Sequence, residues 1–188
     1  MNLVRTTLAI AALMGLATAS QAQVFAAGPG LGLELPDDDP GGITSTIDVT
    51  GGAVENVRVI VSIDHTWVGD LIMTLTSPSG TTVSLVDRAG SEDGGFGDSS
   101  DLSSALSIGF NDGHEVSSED AGADCINSPT DTIGDGCARV FIPRDMLGGF
   151  VGEGASGTWT LFISDNAGGD LGALNGWVIL LNNPGIGM

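Results

Sequence analysis

Four stretches of this chain alternate apolar and polar residues at period two, and beyond residue 22 no stretch sustains a helical period. In Val57-Arg58-Val59-Ile60-Val61-Ser62-Ile63, the residues Val57, Val59, Val61 and Ile63 share one face. Leu71, Met73 and Leu75 do so in 71–76, Val83 and Leu85 in 81–86, and Trp159, Leu161 and Ile163 in 158–164. Successive side chains of a strand point to opposite faces, so each stretch predicts a strand with one buried side. Ser77-Pro78-Ser79-Gly80 separates two of them. Pro presets φ at the second turn position and Gly closes the turn, which predicts a β-hairpin. Trp177-Val178-Ile179-Leu180-Leu181 adds a further strand, and Trp159 and Trp177 are its expected core anchors together with the inward aliphatics. Short strands joined by Gly-rich turns, with Gly at 30 of 188 positions, point to an all-β sandwich or jelly roll.

Residues 1–22 have the pattern of a secretory signal peptide: Arg5, then an apolar run from Leu8 to Ala17, then Ser20-Gln21-Ala22 with small residues at the −3 and −1 positions. Cleavage after Ala22 predicts a secreted or periplasmic protein. The apolar run is too short to cross a bilayer, and no later run reaches a spanning length, so no membrane insertion is expected. Residues 23–42, rich in Gly, Pro and Asp, are expected to form an irregular lead-in; 43–182 form the domain and 183–188 a short tail. The polar segment at about 87–138 reads as a long loop inside the domain. Export to an oxidising compartment makes a disulfide between Cys125 and Cys137, within that loop, the expected state of the two cysteines.

Charge excludes several functions. There are 24 acidic residues against five basic ones, all Arg, for a net charge of −19. Nucleic-acid binding needs a cationic face to release counterions from phosphates, and anionic lipid is disfavoured for the same reason. The small partners that fit are cations, Ca²⁺ first. Asp64 and Asp70 flank one turn, and Asp165 and Asp170 another with Asn166 between. If the two turns meet at one end of a sandwich, their oxygens suit Ca²⁺, which takes six to eight in flexible geometry; otherwise Asp70 and Asp170 cap turns by accepting backbone N–H bonds. Asp131 and Asp135, inside the expected disulfide ring, make a weaker second candidate, lacking the EF-hand spacing.

The residues offer no recognisable catalytic motif, and with 24 acids present a carboxylate pair of the kind that cleaves glycosides stays an open alternative. No Gly-x-Ser-x-Gly elbow and no His-Glu-x-x-His occurs. The two histidines are His65, at a strand end, and His114, in the acidic loop. His65 is expected to hydrogen-bond a neighbouring loop and fix its shape.

Ile63-Asp64-His65-Thr66-Trp67-Val68-Gly69-Asp70-Leu71, Leu75-Thr76-Ser77-Pro78-Ser79-Gly80-Thr81, Gly157-Thr158-Trp159-Thr160-Leu161 and Asp170-Leu171-Gly172-Ala173-Leu174-Asn175-Gly176-Trp177 follow one another in the chain. This set resembles the P domain, or Homo B domain, of the proprotein convertases, in its bacterial form, over about 43–182. The resemblance implies an eight-stranded jelly-roll β-sandwich. It also implies a non-catalytic role beside a subtilisin-like serine protease or a secreted metalloprotease, stabilising the catalytic domain and tuning its Ca²⁺ and pH dependence. The catalytic domain itself is missing from this sequence. Within the motifs, Gly69 and Gly80 are expected to take backbone angles that a Cβ hinders. Trp67, in the loop after His65, either packs under its own loop or touches a protein partner. A free-standing adhesion or carbohydrate-binding jelly roll is the rival reading, since fold alone does not separate the two.

Overall fold

The computed structural model describes residues 22–91, 94–123, 130 and 132–183. It is a β-sandwich of ten strands. They are β1 (Gln23–Ala27), β2 (Leu33–Leu35), β3 (Asp39–Val49), β4 (Val57–His65), β5 (Leu71–Thr76), β6 (Thr82–Asp87), β7 (Ile108–Phe110), β8 (Val140–Phe141), β9 (Gly157–Asp165) and β10 (Gly172–Leu181). One sheet has the order β1-β10-β4-β7-β8, with β2 also on β10; the other has the order β3-β9-β5-β6. Among the described residues no helix is long and apolar enough to cross a membrane.

The period-two stretches are the strands, and their apolar faces meet between the sheets. Val59, Val61, Leu71, Met73, Leu75, Trp159, Leu161, Ile163 and Ile179 are all wholly or almost wholly buried. Trp159 packs edge-on against Phe150, at 5.0 Å between ring centres and 75°, and its Nε1–H donates to the Ala155 carbonyl at 2.9 Å. Trp177 Nε1–H reaches across to Ser45 Oγ on the opposite sheet at 2.9 Å. Each indole thus buries its ring and still satisfies its donor.

The 71–76 and 82–87 strands form the expected hairpin, with Thr76 facing Thr82. Gly80 has φ +88°, in the left-handed region that favours glycine, and its N–H donates to the Ser77 carbonyl. Glu153 braces this turn, accepting from Ser77 Oγ at 2.6 Å and from Thr81 Oγ1.

Three expectations are corrected. Residues 23–42 are not an irregular lead-in: β1 pairs with β10 over its whole length, β2 pairs with β10 further along, and β3 already starts at Asp39. Gly28, Pro29, Gly30 and Gly32 form the turn between β1 and β2, where Gly30 N–H donates to the Asn175 carbonyl. The segment 87–138 is, where described, part of the sandwich: β7 pairs with β4, Leu102 bridges to His65, and Leu102, Ile108, Phe110 and Ile133 are buried. Gly69 is not held by a special φ. A Cβ there would lie 2.6 Å from the Asp98 N and Phe96 O atoms, so the glycine serves a close approach of two backbones. The leader 1–21, Cys125, Asp131 and the last five residues lie outside the described residues.

Candidate functional site

The acidic turns meet at one end of the sandwich. β4 ends at His65, a short 3-10 turn covers Val68–Asp70, β9 ends at Asp165, and β10 begins at Gly172, which faces His65. A Cβ on Gly172 would stand 2.5 Å from His65 Cδ2, so glycine lets β10 close over the imidazole. His65 is buried and its Nε2 lies 3.2 Å from Asp165 Oδ2. Its Nδ1 lies 3.1 Å from Trp67 N and 3.0 Å from Trp67 O. A neutral ring accepts that N–H, an imidazolium donates to that carbonyl, and Nε2–H faces Asp165 either way. His65 therefore bonds within its own loop and to the end of β9. With both ring nitrogens engaged under the surface, it is not placed to act as a base toward a substrate.

Asp70 lies beside this pair and is 2% exposed. Burial, then the neighbouring Asp165 charge, hold its carboxyl above the usual range. Its Oδ1 is buried with no hydrogen-bond partner among the described residues. Its carbonyl accepts from Asn166 N–H at 2.9 Å and Asn166 Nδ2 at 3.1 Å, which locks the two turns together. Asp165 Oδ1 accepts from Ala167 N–H at 3.2 Å. Asp170 Oδ1 accepts from Thr66 Oγ1 at 2.8 Å. A cavity of about 160 Å³ opens here, lined by Trp67, Asp70, Phe96, Ala167, Gly168 and Asp170.

The four aspartates first considered as one cation site are thus partly assembled. Asp70, Asp165 and Asp170 come together. Asp64 does not, because neighbours on a strand face opposite ways and His65 takes the inward side. Asp64 lies outside, accepting from Ser104 N–H at 2.8 Å and Asn175 Nδ2 at 2.7 Å. Asp165 spends its oxygens on His65 and Ala167. Two carboxylates, Asp70 and Asp170, remain to line the cavity, and no group of three or more metal-ligating side chains occurs among the described residues. That donor set is thin for Ca²⁺, which takes six to eight oxygens. At the second candidate, Asp135 Oδ2 accepts from Thr130 Oγ1 at 2.6 Å, while Asp131 lies outside the described residues. Cys137 Sγ accepts from Gly134 N–H at 3.3 Å; its expected partner Cys125 is not described.

Trp67 stands at the cavity wall, half-buried, with Nε1–H donating to the Phe96 carbonyl at 2.7 Å. Phe96 is 73% exposed and was not anticipated as a site residue. The signal available was a lone aromatic within Gly94-Gly95-Phe96-Gly97.

A second surface lies on the outer face of the β1-β10-β4-β7-β8 sheet. Cross-strand register lines up Ala26, Val178, Ile60, Gly109 and Val140 in one row across five strands. Val24 is 64% exposed beside Leu180 in the next row, and Ile60 is 39% exposed. Two adjoining grooves of about 260 and 320 Å³ share Ile60. No acidic residue lines either groove, although the chain has 24.

Residues 54–107 match the family model described as the proprotein convertase P-domain. Leupeptin-inactivating enzyme 1 of Streptomyces exfoliatus is 38% identical over 61 residues, which are 31% of this chain and 14% of that protein. Among solved structures, the serine protease of Aeromonas sobria aligns over 86% of this chain and 26% of its own, with 22% identity and a TM-score of 0.48. The same protease in complex with its chaperone aligns over the same shares, with 23% identity and a TM-score of 0.49. The chain thus spans a small part of each relative.

Proposed function

We propose, from the match of residues 54–107 to the proprotein convertase P-domain, that this chain is an exported, non-catalytic P-domain protein that docks on the catalytic domain of a secreted protease and stabilises it. The observation that carries the reading is the acid-free aliphatic face of the β1-β10-β4-β7-β8 sheet. In a chain of net charge −19, this apolar row has no carboxylate to desolvate, and the one charged side chain lining its grooves is Arg58, beside Leu180. The stretch shared with leupeptin-inactivating enzyme 1 is 14% of that protein, which agrees with a domain used beside another. The buried His65 is engaged at both ring nitrogens, with Asp165 and with the Trp67 backbone, inside the loops it joins. An intact-mass measurement before and after alkylation, without reductant, tests the Cys125–Cys137 disulfide that export implies.

The docking reading is tested by capture. The purified protein is used as bait for the exported proteins of its own organism, beside Ile60→Asp and Thr74→Asp variants, and what is recovered is identified by mass. Recovery of a secreted protease that is lost with Ile60→Asp and kept with Thr74→Asp supports the proposal. Recovery of a polysaccharide or a cell-surface protein instead makes the chain an adhesion module. A protease recovered equally by all three baits moves docking away from this face.

A further inference from the structure

We propose that the cavity between the 66–70 and 166–170 turns receives an arginine side chain of the partner protein. The inference rests on the reading of the chain as a protein-binding domain and adds the chemistry that its end loops take. Asp70 lines the cavity and is 2% exposed, with an Oδ1 that has no donor among the described residues. A buried carboxylate left without a donor costs free energy that an incoming charged donor recovers. Asp170 lines the cavity too, its Oδ1 held by Thr66 Oγ1 at 2.8 Å, so its direction is set before any ligand arrives. Trp67 and Phe96 supply aromatic surface, tied to each other by the 2.7 Å bond from Trp67 Nε1 to the Phe96 carbonyl.

This combination separates the classes of cation. A hard divalent ion seeks oxygen on all sides, and here the aromatic part of the lining offers none. A guanidinium stacks on an aromatic face and donates in its plane to carboxylates, and it is less strongly hydrated than an ammonium. The net charge of −19 attracts a basic partner segment to the chain, and Asp70 and Asp170 are the carboxylates that line this cavity.

The experiment titrates the purified protein with a blocked Gly-Arg-Gly peptide, with its citrulline counterpart, and separately with CaCl₂. Tryptophan fluorescence and the amide resonances of Ala167 and Gly168 are followed. Trp159 and Trp177 are buried, so a fluorescence response reports Trp67 and is expected to vanish in Trp67→Phe. The arginine peptide is expected to saturate the response, with citrulline weaker by about tenfold or more, as the loss of charge-assisted hydrogen bonds implies. Asp170→Asn is expected to weaken arginine binding by a similar factor with the melting temperature unchanged; Asp170→Ser serves if the first variant fails to fold. Equal responses to arginine and citrulline, or no response to either, overturn the proposal. A saturable, EDTA-reversible response to Ca²⁺ that excludes the peptide overturns it too and makes the cavity a metal site. Any of these failures leaves protease capture and its loss in Ile60→Asp untouched, while failed capture leaves the peptide titration standing.

Discussion

The two outer faces of the sandwich solve the same problem in opposite ways. On the β3-β9-β5-β6 sheet, Thr46, Thr160, Thr76 and Thr82 form one row across four strands, and Thr76 Oγ1 lies 2.8 Å from Thr82 Oγ1. In the next row Thr44, Thr74 and Ser84 accompany a half-buried Phe162, and Thr158 Oγ1 donates to Asp48 at 2.7 Å. Hydroxyls on β-branched residues keep strand propensity while remaining solvated. On the other sheet the corresponding row is Ala26, Val178, Ile60, Gly109 and Val140. Both sheets share one core, so core packing does not account for the aliphatic face. On the proposed reading, this apolar row is the part of the face that the partner covers.

The comparison presumes that both faces rest on that shared core. Trp159→Ala is the largest expected perturbation, destabilising by about 3–5 kcal/mol in urea unfolding, through the cavity left and the lost bond to Ala155. A much smaller loss would mean that the sheets are less interdependent than their packing implies. Next, Gly69→Ala pushes a methyl into the backbone at Phe96 and Asp98 and is expected to cost about 1–3 kcal/mol, measured the same way. The faces themselves are contrasted by Ile60→Asp and Thr74→Asp. Each is expected to change stability by less than about 1 kcal/mol, whereas Ile60→Asp alone weakens partner affinity, by about tenfold or about 1.4 kcal/mol.

The smallest effect concerns the hairpin on the hydroxylated side. Hydrogen bonds from Ser77 and then Thr81 hold the Glu153 carboxyl below its usual range. A lowered value in the folded state gives stability that is complete above the unfolded glutamate value, about 4.3, and is lost as pH falls through the folded one. For so exposed a group the contribution is expected to stay below about 1 kcal/mol. Urea midpoints at pH 7 and pH 3 should show it as a shift that Glu153→Gln removes.

Much of this architecture is legible in the sequence, and the misses have physical reasons. The alternation in 57–63, 71–76 and 158–164 carries its own answer, since parity alone says which residues point inward. The aliphatic face was also written there: Ile60, Val178 and Leu180 are apolar on the outward parity, a departure from strict alternation. β1 and β2 escaped because five and three residues are too few for a periodic signal, and their strand character comes from β10 beside them. At the candidate site, parity alone separates Asp64 from the buried cluster. What no local pattern contains is the meeting of His65 with Asp165, or of Trp67 with Phe96, since those contacts depend on which loops the sandwich brings to one end.

Gln23 faces Leu181 across the β1–β10 ladder. Opposed residues of an antiparallel pair lie about 5 Å apart, so the chain enters and leaves this body through neighbouring doors. A host polypeptide needs to open only a gap of one strand spacing to accept it, and it need not rearrange around the insert. The same closeness makes the sandwich suited to circular permutation: a short linker from Leu181 to Gln23, with new ends cut at the Ser79–Gly80 turn, should retain the fold. In that sense the arrangement is that of a cassette, transferable between larger chains with little adjustment on either side.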